Sequence, residues 1–293
     1  MINYDSILEL VNLANDAGKK ISEICLADQA KTLGKTEDEV YATMEKSFDV
    51  MMESAKWGAA PGRVSTSGLT GGEGYSMTQY AGAGKSIMGG FMSRAVATAL
   101  CVSNTNAAMG RIVATPTAGS CGILPGCLIP MYLDKKAEKR DIVMSIFTAA
   151  AFGMVIAKNA CIAGAQGGCQ AECGSASGMA AAALVELMGG TPQQCADALG
   201  IAIVNQMGLV CDPVAGLVEI PCIKRNASGV AIACSSADMI LSGIDLKIPV
   251  DECIDAMREV GNAMSSDLKE TANGGLASTP TGKLLREKVF GKQ

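Results

Sequence analysis

An all-α fold is predicted by three observations on this 293-residue sequence. Apolar residues recur at helical spacing along most of the chain, no run alternates apolar and polar residues for the length of a strand, and no repeat of about 20–50 residues appears. The composition suits such a fold. Hydrophobic residues make up 49% of the chain and charged residues only 18%, which is enough to bury a large core. Aromatic residues account for 4%, against 34 Gly and 17 Met, so helices should approach closely through small side chains while Met fills the gaps. One helical domain spanning 1–293 is expected, with function carried on the Gly-rich loops between helices.

The elements follow in order. Ser6 can cap a helix bearing Ile7, Leu8, Leu10, Val11 and Leu13, whose pattern runs on through Ile21 to Leu26. Thr36 with Glu37, Asp38 and Glu39 forms a capping box that places negative charge at a helix N-terminus, and this helix should reach about Trp57. Residues Pro61 to Tyr75 are rich in Gly, Ser and Thr and read as loop, followed by a small-residue helix over Gly84 to Met109. Ala114 to Gly126 holds two Pro and three Gly and reads as irregular. Helices are expected over Asp141 to Ala160 and Ser175 to Met188, and again from Thr191-Pro192, where Thr is the cap and Pro the first helical residue. Ser228 to Leu241 and Val250 to Met264 complete the helices. Asn273-Gly274-Gly275 is a late loop, and a Thr-Pro-Thr-Gly turn leads into a basic amphipathic tail.

Composition excludes several function classes. The formal net charge is −5, with no basic stripe and few aromatics, which argues against nucleic-acid binding. The chain begins Met1-Ile2-Asn3-Tyr4-Asp5, without the basic and apolar regions of a signal peptide. Its longest apolar run, Ile146 to Ala157, stops at Lys158-Asn159, short of the roughly 18–20 residues of a membrane helix. A soluble, cytoplasmic protein with no membrane partner is expected. In that reducing compartment the twelve cysteines should be free thiols, most of them small buried hydrophobes. There is no histidine at all. That removes the commonest general base and metal ligand, so chemistry must run on Cys, Lys, carboxylates, hydroxyls, a metal or a partner's side chain.

Gly82-Ala83-Gly84-Lys85-Ser86 resembles the end of a phosphate loop, but Gln79 stands where that loop needs its first Gly and no strand precedes it, so a tight turn is the better reading. Three cysteines lie in more informative surroundings. Cys169 follows Gly167-Gly168, Cys211 precedes Asp212-Pro213, and Cys222 follows Pro221. Gly and Pro turns let backbone approach a bulky inorganic group. The spacings of 42 and 11 residues match neither a zinc ribbon nor a ferredoxin run, and alone leave a metal site open beside simple packing. Cys173 would share a helix face with Cys169, either as a competing ligand or as buried packing.

Longer stretches around these cysteines carry a resemblance. Asn159-Ala160-Cys161-Ile162-Ala163-Gly164-Ala165-Gln166-Gly167-Gly168-Cys169-Gln170-Ala171-Glu172, Gly208 to Gly216 and Val218 to Ala227 resemble the signatures of the iron–sulfur-dependent L-serine dehydratases, as do Ala114 to Ser120 and Ser67 to Gly72. The likeness covers nearly the whole chain and is closest to the α chain of the two-chain form. It implies a mostly helical catalytic unit, a [4Fe–4S] cluster on Cys169, Cys211 and Cys222, and conversion of L-serine to pyruvate and ammonia without pyridoxal phosphate. Such a lyase serves amino-acid catabolism and gluconeogenesis. A separate β chain is implied as partner. Cys121, Cys161 and Cys173 depart from the family pattern, with Cys161 standing where Ser is usual.

Within that expectation, an iron lacking a protein ligand binds the serine hydroxyl and stabilises it as it leaves. Candidates for moving the Cα proton are Lys158, whose pKa burial would lower, and Thr117, or else a group on the β chain. Ser67, Thr70, Gly71, Thr115, Ser120 and Asn159 are the substrate-binding candidates, and backbone N–H groups in Gly-rich turns suit a carboxylate. Arg225 could bind an anion or pair with an acid. Two alternatives keep the cluster: a cysteine desulfidase that releases sulfide, and a non-catalytic iron–sulfur protein with four protein ligands. A third, a helical scaffold whose cysteines merely pack, dispenses with it.

Overall fold

The computed structural model describes residues 4–291. Met1 to Asn3, part of the start read above for a leader, and the last two residues of the basic tail lie outside the described residues. Thirteen α-helices carry the described chain, and two isolated β-bridges are its only extended pairings. In order they are α1 (Ile7–Ala17), α2 (Ile21–Leu33), α3 (Glu37–Gly58), α4 (Glu73–Gly82), α5 (Gly89–Ala107), α6 (Ile123–Leu133) and α7 (Lys139–Asn159). Then come the short α8 (Gly164–Gly167), α9 (Ser175–Leu187), α10 (Pro192–Val204), α11 (Cys222–Leu241), α12 (Val250–Ala263) and α13 (Pro280–Phe290). The all-α expectation is met.

At the centre lies α9, every residue of which from Ser175 to Glu186 is buried. Its Ser-Ala-Ser-Gly-Met-Ala-Ala-Ala-Ala sequence presents small groups on all sides, and a helix that is apolar all round belongs in a core. It packs against α6, α7, α10 and α11. The approach is close: a Cβ on Gly178 would lie 3.1 Å from the Leu199 side chain in α10, and one on Gly153 of α7 would lie 2.8 Å from Met179. Helix α7 is long and apolar enough to cross a membrane by length and composition, unlike the shorter run read from sequence. Here 67% of its most apolar window is buried, and α2, α3 and α9 pack on it.

Both capping boxes form as expected. The Thr36 hydroxyl accepts from the Glu39 N–H at 3.2 Å while Glu39 accepts from the Thr36 N–H at 2.9 Å, and Thr191 and Gln194 repeat the pattern. Elsewhere the boundaries differ for identifiable reasons. The first long helix breaks at Gly18, whose φ of 60° ends α1 and lets α2 restart. The segment 83–88 is a connection rather than helix, with Gly84 and Gly89 both left-handed. Helix α6 occupies a stretch read as irregular. Pro125 falls in its first turn, where no N–H is needed, and Pro130 is tolerated near its C-terminal end. Helix α11 starts at Cys222, six residues early, directly after a cis Ile220–Pro221 bond. The Thr-Pro-Thr-Gly turn is a helix start: Thr279 caps α13 by accepting from the Gly282 N–H at 3.0 Å.

Candidate functional site

Cys169 is set by its glycines. The chain leaves α8 through Gly168, at φ +77°, then enters a π-helical turn over Gln170–Gly174 that runs straight into α9. Single π turns recur at functional sites because the extra residue re-aims side chains. The buried Gln170 fixes this turn. Its amide donates to the Met257 carbonyl of α12 at 2.9 Å and accepts from the Gly208 N–H at 2.8 Å, and its own N–H donates to the Leu209 carbonyl at 2.9 Å. Cys173 does share a face with Cys169, and their Sγ atoms are 3.3 Å apart. Together with a Glu172 oxygen they form a group of metal-ligating atoms, all within 4.8 Å of one another.

Cys211 lies on an extended segment held on both sides of its peptide. Its N–H donates to the Leu268 carbonyl at 2.8 Å, and its carbonyl accepts from the Glu270 N–H at 2.8 Å. The next residue, Asp212, receives the Arg225 guanidinium at 2.8 Å and the Leu276 N–H at 2.8 Å. Arg225 also donates to the Val210 carbonyl at 2.8 Å. It is therefore an ion-pairing residue that clamps the Cys211 segment to the start of α11. Cys222 is the first residue of that helix. One turn on, the buried Asn226 donates to the Cys222 and Gly119 carbonyls and accepts from the Gly122 N–H, so it ties the 115–120 loop to the Cys222 turn.

The three cysteines come together. Cys169, Cys211 and Cys222 are all buried, and the thiols of Cys211 and Cys222 both feel the charge of Cys169 and of Glu172. Burial raises Cys211 well above the ordinary thiol range and pushes Cys222 up to about 12, with the negative charge of Cys169 and Glu172 adding to both. Cys169 goes the other way: the hydrogen bond with Cys173 lowers its pKa, and the Arg225 guanidinium adds to this against the effect of burial. Glu172, whose pKa burial raises, accepts a short hydrogen bond from the Thr117 hydroxyl. Gly164 leaves the space this group needs, because a Cβ there would sit 2.9 Å from the Cys211 sulfur. Two cavities of about 590 and 510 Å³ lie elsewhere and do not border these thiols.

The other expected residues divide between two places. Thr117 is bonded to Ser120 at 3.1 Å as well as to Glu172, and the Ser120 hydroxyl closes on the Thr115 carbonyl at 3.2 Å. Ser67 and Thr70 donate to the buried Glu219 carboxylate, and Gly71 packs against Arg63, where a Cβ would meet a carbonyl at 2.5 Å. Lys158 and Asn159 are not among these groups. The Lys158 side chain is 44% exposed and ion-paired with Asp5, so it is not the buried lysine expected from the sequence. Asn159 donates to the Asp5 carbonyl at 2.7 Å. Glu172, Glu219, Asp212 and the 268–276 segment were not anticipated. The acids stand within or beside the cysteine motifs, and their position there was the available signal. Cys161 is half-buried beside Gly167, and Cys121 is buried.

An all-helical unit with buried, mutually interacting thiols is the class of protein that fold and site define, and comparison with known proteins narrows it. Residues 16–277 match the family model described as serine dehydratase alpha chain. The chain is 47% identical over 288 residues to a protein of Bacillus subtilis (strain 168) described as a probable L-serine dehydratase alpha chain, covering 98% of this chain and 96% of that one. It is 45% identical over 278 residues to the L-serine dehydratase alpha chain of Peptoniphilus asaccharolyticus, covering 95% of each. A protein of Mycobacterium tuberculosis (strain CDC 1551 / Oshkosh) named L-serine dehydratase is 37% identical over 292 residues, covering 94% of this chain but 61% of its own length. The chain belongs to the serine dehydratase alpha chain family.

Proposed function

We propose that this chain is the catalytic α unit of an L-serine dehydratase, a lyase that converts L-serine to pyruvate and ammonia with a [4Fe–4S] cluster on Cys169, Cys211 and Cys222 and without pyridoxal phosphate. One observation supports this reading: the buried thiols of Cys211 and Cys222 both lie near enough to Cys169 to feel its charge, and Gly164 keeps the space beside the Cys211 sulfur clear. The donor set fits the group. Soft thiolates suit iron–sulfur ligation, and the burial and neighbouring negative charge that raise Cys211 and Cys222 are what a cationic centre would offset. When bound, the cluster supplies a Lewis-acidic iron for the substrate hydroxyl.

The protein's own residues handle the proton. Glu172 takes it from Cα, since this carboxylate lies beside the Cys169 thiol and burial raises its pKa, which makes it the more basic. Thr117 donates to Glu172 and fixes its orientation. Arg225 holds the Cys211 segment in place and offsets negative charge among the thiols. Loss of the Cα proton and the β-hydroxyl gives 2-aminoacrylate, whose imine tautomer takes up water to release ammonia and pyruvate. A separate β chain is the proposed partner, supported by the alpha-chain names and by the longer Mycobacterium relative.

The test is an anaerobic assay of the reconstituted chain with its β partner on L-serine and L-cysteine, with iron and sulfide measured alongside. Pyruvate formed from serine, and lost with iron in air, is the expected result. Sulfide from cysteine without pyruvate from serine overturns the reading in favour of a desulfidase.

A further inference from the structure

Glu219 is a buried anion without a cation. Its residue is 5% exposed, yet among the described residues no Lys or Arg nitrogen lies within 4.0 Å of its carboxylate. Asp212, equally buried, is matched by Arg225 at 2.8 Å. Glu219 instead receives only two hydroxyls, Ser67 at 2.7 Å on one oxygen and Thr70 at 2.6 Å on the other. A carboxylate has about four acceptor positions, so further ones remain for another donor. Two neutral hydroxyls do not balance a charge withdrawn from water.

The position of this acid ties it to the thiols. The Val214 N–H donates to the Ile220 carbonyl at 2.8 Å, which folds 214–220 back on itself, and the Ile223 N–H donates to the Glu219 carbonyl at 3.1 Å. Glu219 and Cys222 therefore stand on one turn at the head of α11. A zwitterionic amino acid whose hydroxyl and carboxylate face the ligand side of that turn still carries a cation on Cα.

We infer that Glu219 receives the α-ammonium of the substrate, with Ser67 and Thr70 holding its carboxylate in place, so that the site selects amino acids over hydroxy acids. This rests on the serine dehydratase reading. Ser67 and Thr70 then serve the substrate through Glu219 rather than by touching it.

The test uses the anaerobically reconstituted chain with its β partner, as wild type, Glu219→Gln and Glu219→Asp. Two ligands are compared: L-serine, and 3-hydroxypropanoate, which is serine without its amino group, as a competitive inhibitor. For Glu219→Gln the KM for serine should rise roughly 10–100-fold, the size expected for a charge-assisted hydrogen bond, with kcat within about threefold. The inhibition constant of 3-hydroxypropanoate should move less than about threefold. Glu219→Asp keeps the charge on a shorter arm and should give a smaller rise with the same selectivity, which preserves the test if the Gln variant does not fold. The perturbation of the cluster's visible absorption by serine gives a readout apart from turnover, and should need correspondingly more serine in both variants. Equal weakening of both ligands, or an unchanged serine KM, overturns the inference while leaving the dehydratase reading intact. A wild type that neither binds nor turns over serine overturns that reading, and the inference with it.

Discussion

The Sγ atoms of Cys169 and Cys173 lie 3.3 Å apart, four residues apart along a π-helical turn. This contact lowers the pKa of Cys169 and raises that of Cys173. Cys173 lies in contact with a proposed ligand and stands outside the proposed ligand set. Anaerobic reconstitution of Cys173→Ala should retain most of its iron and sulfide, while Cys169→Ala, Cys211→Ala and Cys222→Ala should each lower bound iron at least roughly tenfold. Iron and acid-labile sulfide per chain decide between these outcomes. Loss of iron in Cys173→Ala equal to that in Cys169→Ala would make Cys173 a fourth ligand.

Gly164 should tolerate no side chain. A Cβ there sits 2.9 Å from the Cys211 sulfur, tighter than real contacts allow, and a second thiol segment must shift to admit it. Gly164→Ala should therefore keep its helicity by circular dichroism but lose bound iron. Full iron loading in this variant would show that the space beside Cys211 is not needed.

Thr117 orients the carboxylate proposed as the base. Thr117→Val preserves shape and removes the hydroxyl donor to Glu172, so kcat should fall about 10–100-fold with little change in KM for serine. Thr117→Ser should restore most of the rate. If Thr117→Ser is as slow as Thr117→Val, the hydroxyl alone does not account for the loss, and an unchanged kcat in Thr117→Val would show that this hydrogen bond does not serve the base.

Glu186, inside α9, gives a stability prediction that does not depend on the site. Burial raises its pKa, and the neighbouring Ser22 and Thr148 oppose this without cancelling it. The folded chain therefore holds this proton more tightly than the unfolded chain. The resulting stability is complete below the unfolded carboxylate pKa, near 4.5, and is lost as pH rises through the higher folded value. Glu186→Gln keeps an acceptor for the Ser22 N–H, now 3.2 Å away, and removes the titration. Its melting temperature should exceed that of the wild type at pH 8 by a few degrees, equivalent to about 1 kcal/mol, and the gap should close toward pH 5. A gap that widens on acidification would contradict the assignment.

Local chemistry made much of the fold legible. Thr36 and Thr191 announced their helices because a cap and its reciprocal partner lie within three residues. Thr279-Pro280 carries the same signal, but the Gly two residues later disguised it as a turn. Helix α6 stayed hidden because Pro and Gly mark loops statistically, while here Gly126 lets Val230 and α5 approach. Gly and Pro turns set Cys169, Cys211 and Cys222 apart from the other cysteines, and the family resemblance proposed them as ligands. The acids were not: the partners of Glu172 and Glu219 lie 55 and 152 residues away, and no local pattern marks a carboxylate by what will fold against it. Lys158 misled for the converse reason, since an ion pair with Asp5, 153 residues earlier, explains a charge that looked out of place at the end of an apolar helix.

Gln170 uses its amide at both ends, toward Met257 in α12 and toward Gly208 in the turn ahead of Cys211. One side chain thus acts as a crossbeam between three stretches of chain, and it does so with protein partners alone. On the proposed reading, the wall beside Cys169 is framed by the fold itself, whatever is later seated against it.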